Sequence, residues 1–209
     1  MGRKNRHPFQ YEQLYHIFDK VVTGTKLFRE EEDYWNFMKR YTRYFSPYFI
    51  TYAYCLIPNH YHFLIKVRDE AQIKGAVKKE DTNAARKYLA GKEDVNFFLQ
   101  NQFSRCFSGV TMKYNNKYKR QGPLFLQGTK RVLLNAFRTF EQQMHYIHSN
   151  PRHHFLVKKI EQWPYSSYPT YISNHNTQLP RAEVFQRFGG KDRFIQFHQQ
   201  PFKGSIEID

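Results

Sequence analysis

Cysteine is almost absent from this chain. Its two residues, Cys55 and Cys106, sit among apolar neighbours. A disulfide framework or a cysteine-based zinc site is therefore excluded, and buried reduced thiols are expected. Acid is scarce too: 18 Asp and Glu stand against 33 Lys and Arg, a net charge of +15. That excess points to a polyanionic partner, because Lys and Arg displace condensed counterions from phosphates. No apolar run is long enough to span a bilayer and no basic amphipathic helix stands alone, so a membrane is not the expected polyanion. The basic start, Met1-Gly2-Arg3-Lys4-Asn5-Arg6-His7-Pro8, has no apolar segment after it and does not read as a secretory signal, so a cytoplasmic protein is expected. The chain also lacks an internal repeat, a Gly-rich phosphate loop, and any Ser/His/Asp or Cys/His arrangement for nucleophilic catalysis.

What is present is aromatic: 20 Phe and 16 Tyr among 209 residues, enough to fill one sizeable core. Residues 11–22 read as a strand. Residues 29–45 read as a helix whose Tyr34, Phe37, Met38, Tyr41 and Phe45 form one apolar stripe. Residues 48–57 are a second strand, joined by Pro58-Asn59 to a third that begins at His60. Residues 69–94 are charged and poor in aromatics, and read as a surface insertion with a helical turn or two at 82–90. A long helix follows over 95–118, with Asp94 as its cap and Leu99, Phe103, Cys106, Phe107 and Val110 buried. Residues 124–134 form a strand interrupted at Gly128. Asn135 is expected to cap a helix running to about Asn150, with Phe137, Phe140, Met144 and Ile147 inward and Pro151 ending it. The main domain is read as 9–172. A tail, 173–209, carries one short helix at 182–188 and loose last residues.

Two features carry chemistry. Side chains alternate along a strand, so His60 and His62 share a face with Leu64 and Lys66, while Tyr61, Phe63, Ile65 and Val67 take the buried face. Two imidazoles side by side can hold one metal ion. Spacing alone equally allows two histidines on a solvated face. The second feature is an acid-free stretch from Val95 to Phe140. It holds Arg105, Lys113, Lys117, Lys119, Arg120, Lys130 and Arg131, interleaved with Tyr114, Tyr118 and several amides. Cations for phosphates, rings for stacking and amides for base edges make a nucleic-acid surface. Further on, Gln142, Tyr146 and Asn150 are spaced by four and share a helix face.

Four segments in order resemble the HUH single-tyrosine transposases, in the branch associated with repetitive extragenic palindromes (REP). They are Ile57-Pro58-Asn59-His60-Tyr61-His62-Phe63-Leu64; the run from Tyr114-Asn115-Asn116-Lys117-Tyr118 through Gly122-Pro123-Leu124-Phe125-Leu126-Gln127-Gly128; Tyr146-Ile147-His148-Ser149-Asn150-Pro151; and Trp163-Pro164-Tyr165-Ser166-Ser167-Tyr168. The resemblance implies an α+β fold, a ferredoxin-like antiparallel sheet with helices packed on one face. It implies that His60 and His62 hold Mg2+ or Mn2+, that Tyr146 is the nucleophile, and that Asn150 stands where relatives often use Gln as third ligand. The residue before a proline is pushed out of helical geometry, so the residues alone leave open that Asn150 caps the helix instead. The implied partner is single-stranded or hairpin DNA, cleaved and rejoined with no nucleotide cofactor. The chain departs from the family at 152–157, where Arg-His-His-Phe-Leu-Val replaces a Val-Arg-Ala-Gly type of ending, and in the long insertion. A DNA- or RNA-binding protein that keeps the fold without cutting is the alternative. A zinc hydrolase would need a third His or Cys, and the sequence offers none in a convincing place. A monomer and a homodimer both fit.

Overall fold

A computed structural model describes residues 6–126, 128–134 and 139–202 of the chain. β1 (Leu14–Lys20), β2 (Phe49–Ile57), β3 (His60–Val67) and β4 (Lys130–Leu133) form one sheet in the order β2-β3-β1-β4. Every neighbouring pair is antiparallel. The Pro58-Asn59 link is too short for anything but a hairpin between β2 and β3. Helix α1 (Glu31–Phe45) joins β1 to β2, and helix α4 (Val95–Lys117) lies between β3 and β4. This is the expected ferredoxin-like arrangement.

Strand alternation sorts the sheet's side chains into two layers. Tyr15, Ile17, Tyr61, Phe63, Ile65 and Val67 enter the core beneath α1 and α4. The buried stripe of α1 is Tyr34, Phe37, Tyr41 and Phe45, and Glu31, Glu32 and Asp33 face the positive end of its dipole. Asp94 caps α4, accepting from Phe97 N at 2.8 Å. Where α4 passes α1, a Cβ on Gly109 would collide with Arg40, whose Nε donates to the Cys106 carbonyl at 2.7 Å.

Helices were expected on one face, and the second face is covered as well. Tyr52, Ala53, Cys55, Ile57 and Leu64 make that face apolar too. They pack against α5 (Phe140–His153), α6 (Ser167–Ile172), α7 (Arg181–Phe188) and α8 (Lys191–Gln199). The described residues after 173 thus hold two helices rather than one. Residues 69–94 also differ from a solvated insertion. They form α2 (Glu70–Val77) and α3 (Asn83–Leu89), and Ile73, Val77, Ala85 and Tyr88 enter the first core. Those few apolar residues fall at helical spacing among many charges.

Helix α5 starts with a capping box of Thr139 and Gln142. The expected cap Asn135, the stripe residue Phe137 and the terminal residues 203–209 lie outside the described residues. Pro151 does not end α5. The helix runs on to His153, and His154 N donates to the Asn150 carbonyl at 3.0 Å. Proline lacks the N–H that would reach the Ile147 carbonyl, but its fixed φ is helical, and the helix continues two residues past it.

β2 is an edge strand, and an open edge invites wrong pairing. The aromatic segment after residue 162 closes it. Leu56 N donates to Tyr165 O at 2.9 Å and Trp163 Nε1 to Leu56 O at 2.8 Å. Tyr54 N donates to Ser167 Oγ at 2.9 Å and Tyr171 OH to Tyr52 O at 2.7 Å. Among the described residues no helix is long and apolar enough to cross a membrane.

Candidate functional site

β3 turns His60 and His62 onto the second face, and α5 lies across them. They are 1% and 0% exposed, which removes the solvated-face reading. Tyr146 and Asn150, one turn apart on α5, are buried against them. The Tyr146 ring meets that of His62 edge to face, with centroids 5.6 Å apart. Phe202 packs on Tyr146 at 5.6 Å.

The surroundings assign the ring nitrogens. His60 Nδ1 lies 2.8 Å from Asn59 Oδ1, an oxygen that only accepts, so neutral His60 carries its proton on Nδ1. Its Nε2 then presents a lone pair, 3.4 Å from Asn150 Oδ1. Asn150 Nδ2 donates to the Tyr146 carbonyl at 3.4 Å, which turns Oδ1 toward His60. His62 Nδ1 is 2.9 Å from His16 Nε2. His16 stacks on His62 and on Phe18, with centroids at 5.1 and 4.7 Å. The ring of His154 lies 4.7 Å from that of His60.

This donor set fits a divalent ion. With the proton on His60 Nδ1, Nε2 and the Asn150 Oδ1 3.4 Å away are the two atoms that a cation between them would bind. One imidazole nitrogen with one amide oxygen suits a borderline-to-hard metal. Among the described residues no group of three or more His, Cys, Asp or Glu could hold a metal. In the cluster on β3 and α5, the third donor would be an amide.

The opposite side of α5 is tied down by a buried chain of hydrogen bonds. His198 Nδ1 lies 2.8 Å from the Phe194 carbonyl and must donate to it. Its Nε2 then accepts from His148 Nδ1 at 2.9 Å, and His148 Nε2 accepts from Ser167 Oγ at 2.7 Å. Burial keeps both imidazoles neutral: His148 is pushed well below the usual range and His198 down to about 3. His145, also facing α8, is pushed to about 4 by burial and by the charge of Arg152.

No family model matches this chain. A stretch of 123 residues, 57% of the chain, is 26% identical to a Haemophilus influenzae protein that carries the name of a REP-associated tyrosine transposase. The match spans 59% of that relative's length. Among solved structures, a REP-associated tyrosine transposase bound to a REP hairpin superposes with a TM-score of 0.51 at 13% identity. The superposition covers 83% of this chain and 87% of that one. The chain has the fold of that transposase.

The basic residues singled out from the sequence are divided by this sheet. Lys130 Nζ sits over the Phe18 ring at 5.1 Å, and that ring is 5.7 Å from His62, so Lys130 borders the histidine cluster. Arg131 points to the other face, over Phe9 at 4.6 Å. Lys113 and Lys119 are exposed. Arg120 donates to the Gly122 and Pro123 carbonyls at 3.2 and 2.7 Å. Arg105 pairs with Glu80 at 3.1 Å. Lys117 pairs with Glu30, Glu32 and Asp33, so it ties α4 to α1. Gln142 is exposed and caps its own helix, outside the cluster.

Four residues at the cluster escaped sequence reasoning: His16, Phe18, Asn59 and His154. Alternation puts His16 and Phe18 on one face of β1. Only the register, with Phe18 opposite His62 and His16 opposite Leu64, reveals that this face is the histidine face.

Proposed function

We propose that the chain is a metal-dependent transposase and endonuclease that cleaves and rejoins single-stranded DNA beside a hairpin or palindrome. The observation that carries this reading is that one turn of α5 lays Tyr146 and Asn150 against His60 and His62 of β3. The named relative and the hairpin-bound structural neighbour support hairpin DNA as the partner.

A Mg2+ or Mn2+ ion held by His60, His62 and Asn150 would polarise the scissile phosphate and favour ionisation of an incoming hydroxyl. Asn59 fixes the proton on His60 Nδ1 and so keeps Nε2 available. His16 engages His62 Nδ1 and holds that ring in place. The Tyr146 oxygen forms a bond to phosphorus as its proton leaves to solvent. The bond from phosphorus to the 3′ oxygen breaks, and that oxygen takes up a proton. The products are a 5′-phosphotyrosine and a free 3′-hydroxyl. Attack by another 3′-hydroxyl reverses the step and releases Tyr146. One phosphodiester is exchanged for another, so no nucleotide cofactor is needed.

The test is covalent capture. Labelled single-stranded hairpins are incubated with the protein and Mn2+, then resolved after denaturation. The reading expects label on the protein that is lost with chelator and in Tyr146→Phe. An adduct that survives Tyr146→Phe moves the nucleophile to another tyrosine. Tight hairpin binding without any adduct would establish the non-cutting binder instead.

A further inference from the structure

A cleft of about 900 Å³ lies on the first sheet face, between α4 and the chain that leads into β4. Arg131 lines it at 7% exposure, and its Nε has no hydrogen-bond partner among the described residues. The Phe9 ring covers the guanidinium but supplies no countercharge. Arg6 lines the same cleft, and its backbone bridges to that of Arg131. Burial, and then the charge of Arg6, push Arg131 down to about 10. Asp19 is the one acid among the described lining residues, and its Oδ1 accepts from Lys20 N at 2.9 Å. On the facing wall, Ser104, Ser108 and Thr111 stand in a row, one turn apart on α4. The Arg131 guanidinium on one side and hydroxyls on the other are the groups that hold phosphate oxygens.

We infer that this cleft binds the phosphates of a nucleic-acid strand, as a second DNA contact on the sheet face opposite Tyr146. Its length favours a strand over a single nucleotide. The lining runs along α4 from Gln100 to Met112, about 18 Å at 1.5 Å per residue. That distance matches roughly five phosphates of a stacked strand, whose rise along the helix axis is ~3.4 Å each. Met112, exposed at the cleft, offers an apolar surface for a sugar or base. The inference rests on the DNA reading above and adds where the uncleaved part of the substrate is held.

Two variants test it. Ser104→Asp combined with Ser108→Asp places acid in the cleft at two exposed helix positions, where the fold is not at stake. Arg131→Gln removes the buried cation, with thermal melting as a check on folding. Both are titrated by fluorescence anisotropy with a labelled hairpin carrying single-stranded flanks, at several salt concentrations. The double Asp variant is expected to bind at least ~10-fold more weakly. Arg131→Gln should make the slope of log affinity against log salt shallower by about 1. Wild-type affinity and slope in both variants overturn the cleft, while a wild-type covalent adduct leaves the functional reading standing. A mononucleotide that competes as well as a five-nucleotide strand, at equal phosphate concentration, overturns the strand assignment. A wild type that neither binds nor forms the adduct sinks both.

Discussion

Ser167→Ala should destabilise this protein far more than the loss of one hydroxyl suggests. Ser167 is fully buried, and its Oγ accepts from Tyr54 N at 2.9 Å on the edge strand. The hydrogen-bond chain through His198 and His148 runs in one direction, set by the Phe194 carbonyl, so Ser167 must be the donor to His148 Nε2 at 2.7 Å. Alanine keeps nearly all the volume, so the cavity term is small. It leaves two partners unpaired, the Tyr54 N–H and His148 Nε2. Each buried orphan costs about 1–3 kcal/mol, which gives a loss of about 2–6 kcal/mol. For a domain of ordinary stability, ~5–15 kcal/mol, that is a large fraction. Urea denaturation, followed by the fluorescence of Trp163 beside this segment, reads it directly. The companion variant is His148→Phe, which removes the acceptor. If the chain runs as deduced, the double variant costs clearly less than the sum of the singles. A loss below ~0.5 kcal/mol, or strict additivity within ~0.5 kcal/mol, would refute the reasoning.

Other perturbations separate the parts of the site. His60→Ala or His62→Ala should abolish the covalent adduct and retain most of the salt-sensitive DNA binding; normal cutting by either removes the metal assignment. His16→Phe should weaken Mn2+ binding by about 10–100-fold, because the second partner of a ligating imidazole orients it; Mn2+ paramagnetic resonance measures this, and unchanged affinity rejects a positioning role. Acid should destabilise the α5–α8 contact. His145 and His198 titrate near 4 and 3 when folded, against about 6.5 unfolded. The unfolded state therefore binds more protons below pH 6.5. Their contribution is complete above that pH and falls by ~1.4 kcal/mol per pH unit for each group until the folded values are reached. Urea midpoints that stay level from pH 7 to 5 would contradict it. Charge reversal at Lys119 and Arg120 should weaken binding to every DNA sequence, whereas Lys117→Ala, which loses only α1 acids, should leave DNA affinity near wild type; anisotropy titrations distinguish the two.

The legible parts of this protein are those set by short-range periodicity. Alternation alone sorts His60 and His62 from Tyr61, Phe63, Ile65 and Val67, and a spacing of four brings Tyr146 and Asn150 onto one helix face. Ridges of Phe and Tyr mark α1 and α4. What stayed hidden depends on long-range pairing. Nothing local to His16 reveals that β1 lies beside β3 in the register that carries its ring to His62. The second helical layer was hidden for a related reason. Leu64, Ile57 and Ala53 need cover, but the helices that supply it come from the far end of the chain. The partners of the basic residues were hidden too. The number of cations was visible, but acids on α1 engage Lys117 and Glu80 engages Arg105, and those acids lie outside the acid-free stretch.

Helix α5 has no free side over residues 143–151, all of which are buried. One side presents Tyr146 and Asn150 to the sheet, and the other presents His148 to Ser167 and His198. A helix clamped on both sides cannot shift on one without strain on the other. The Ser-Ser motif after Trp163 therefore does two things at once. It closes the edge of β2, and through His148 it fixes the height of α5 above His60. Catalytic geometry is steep, and a 1 Å misplacement costs on the order of 100-fold in rate. Ser167→Ala, under conditions where it remains folded, should therefore slow adduct formation well beyond any loss of hairpin affinity. If the folded variant captures DNA at the wild-type rate, the position of Tyr146 is set by the sheet alone, and the histidine chain behind α5 serves stability only.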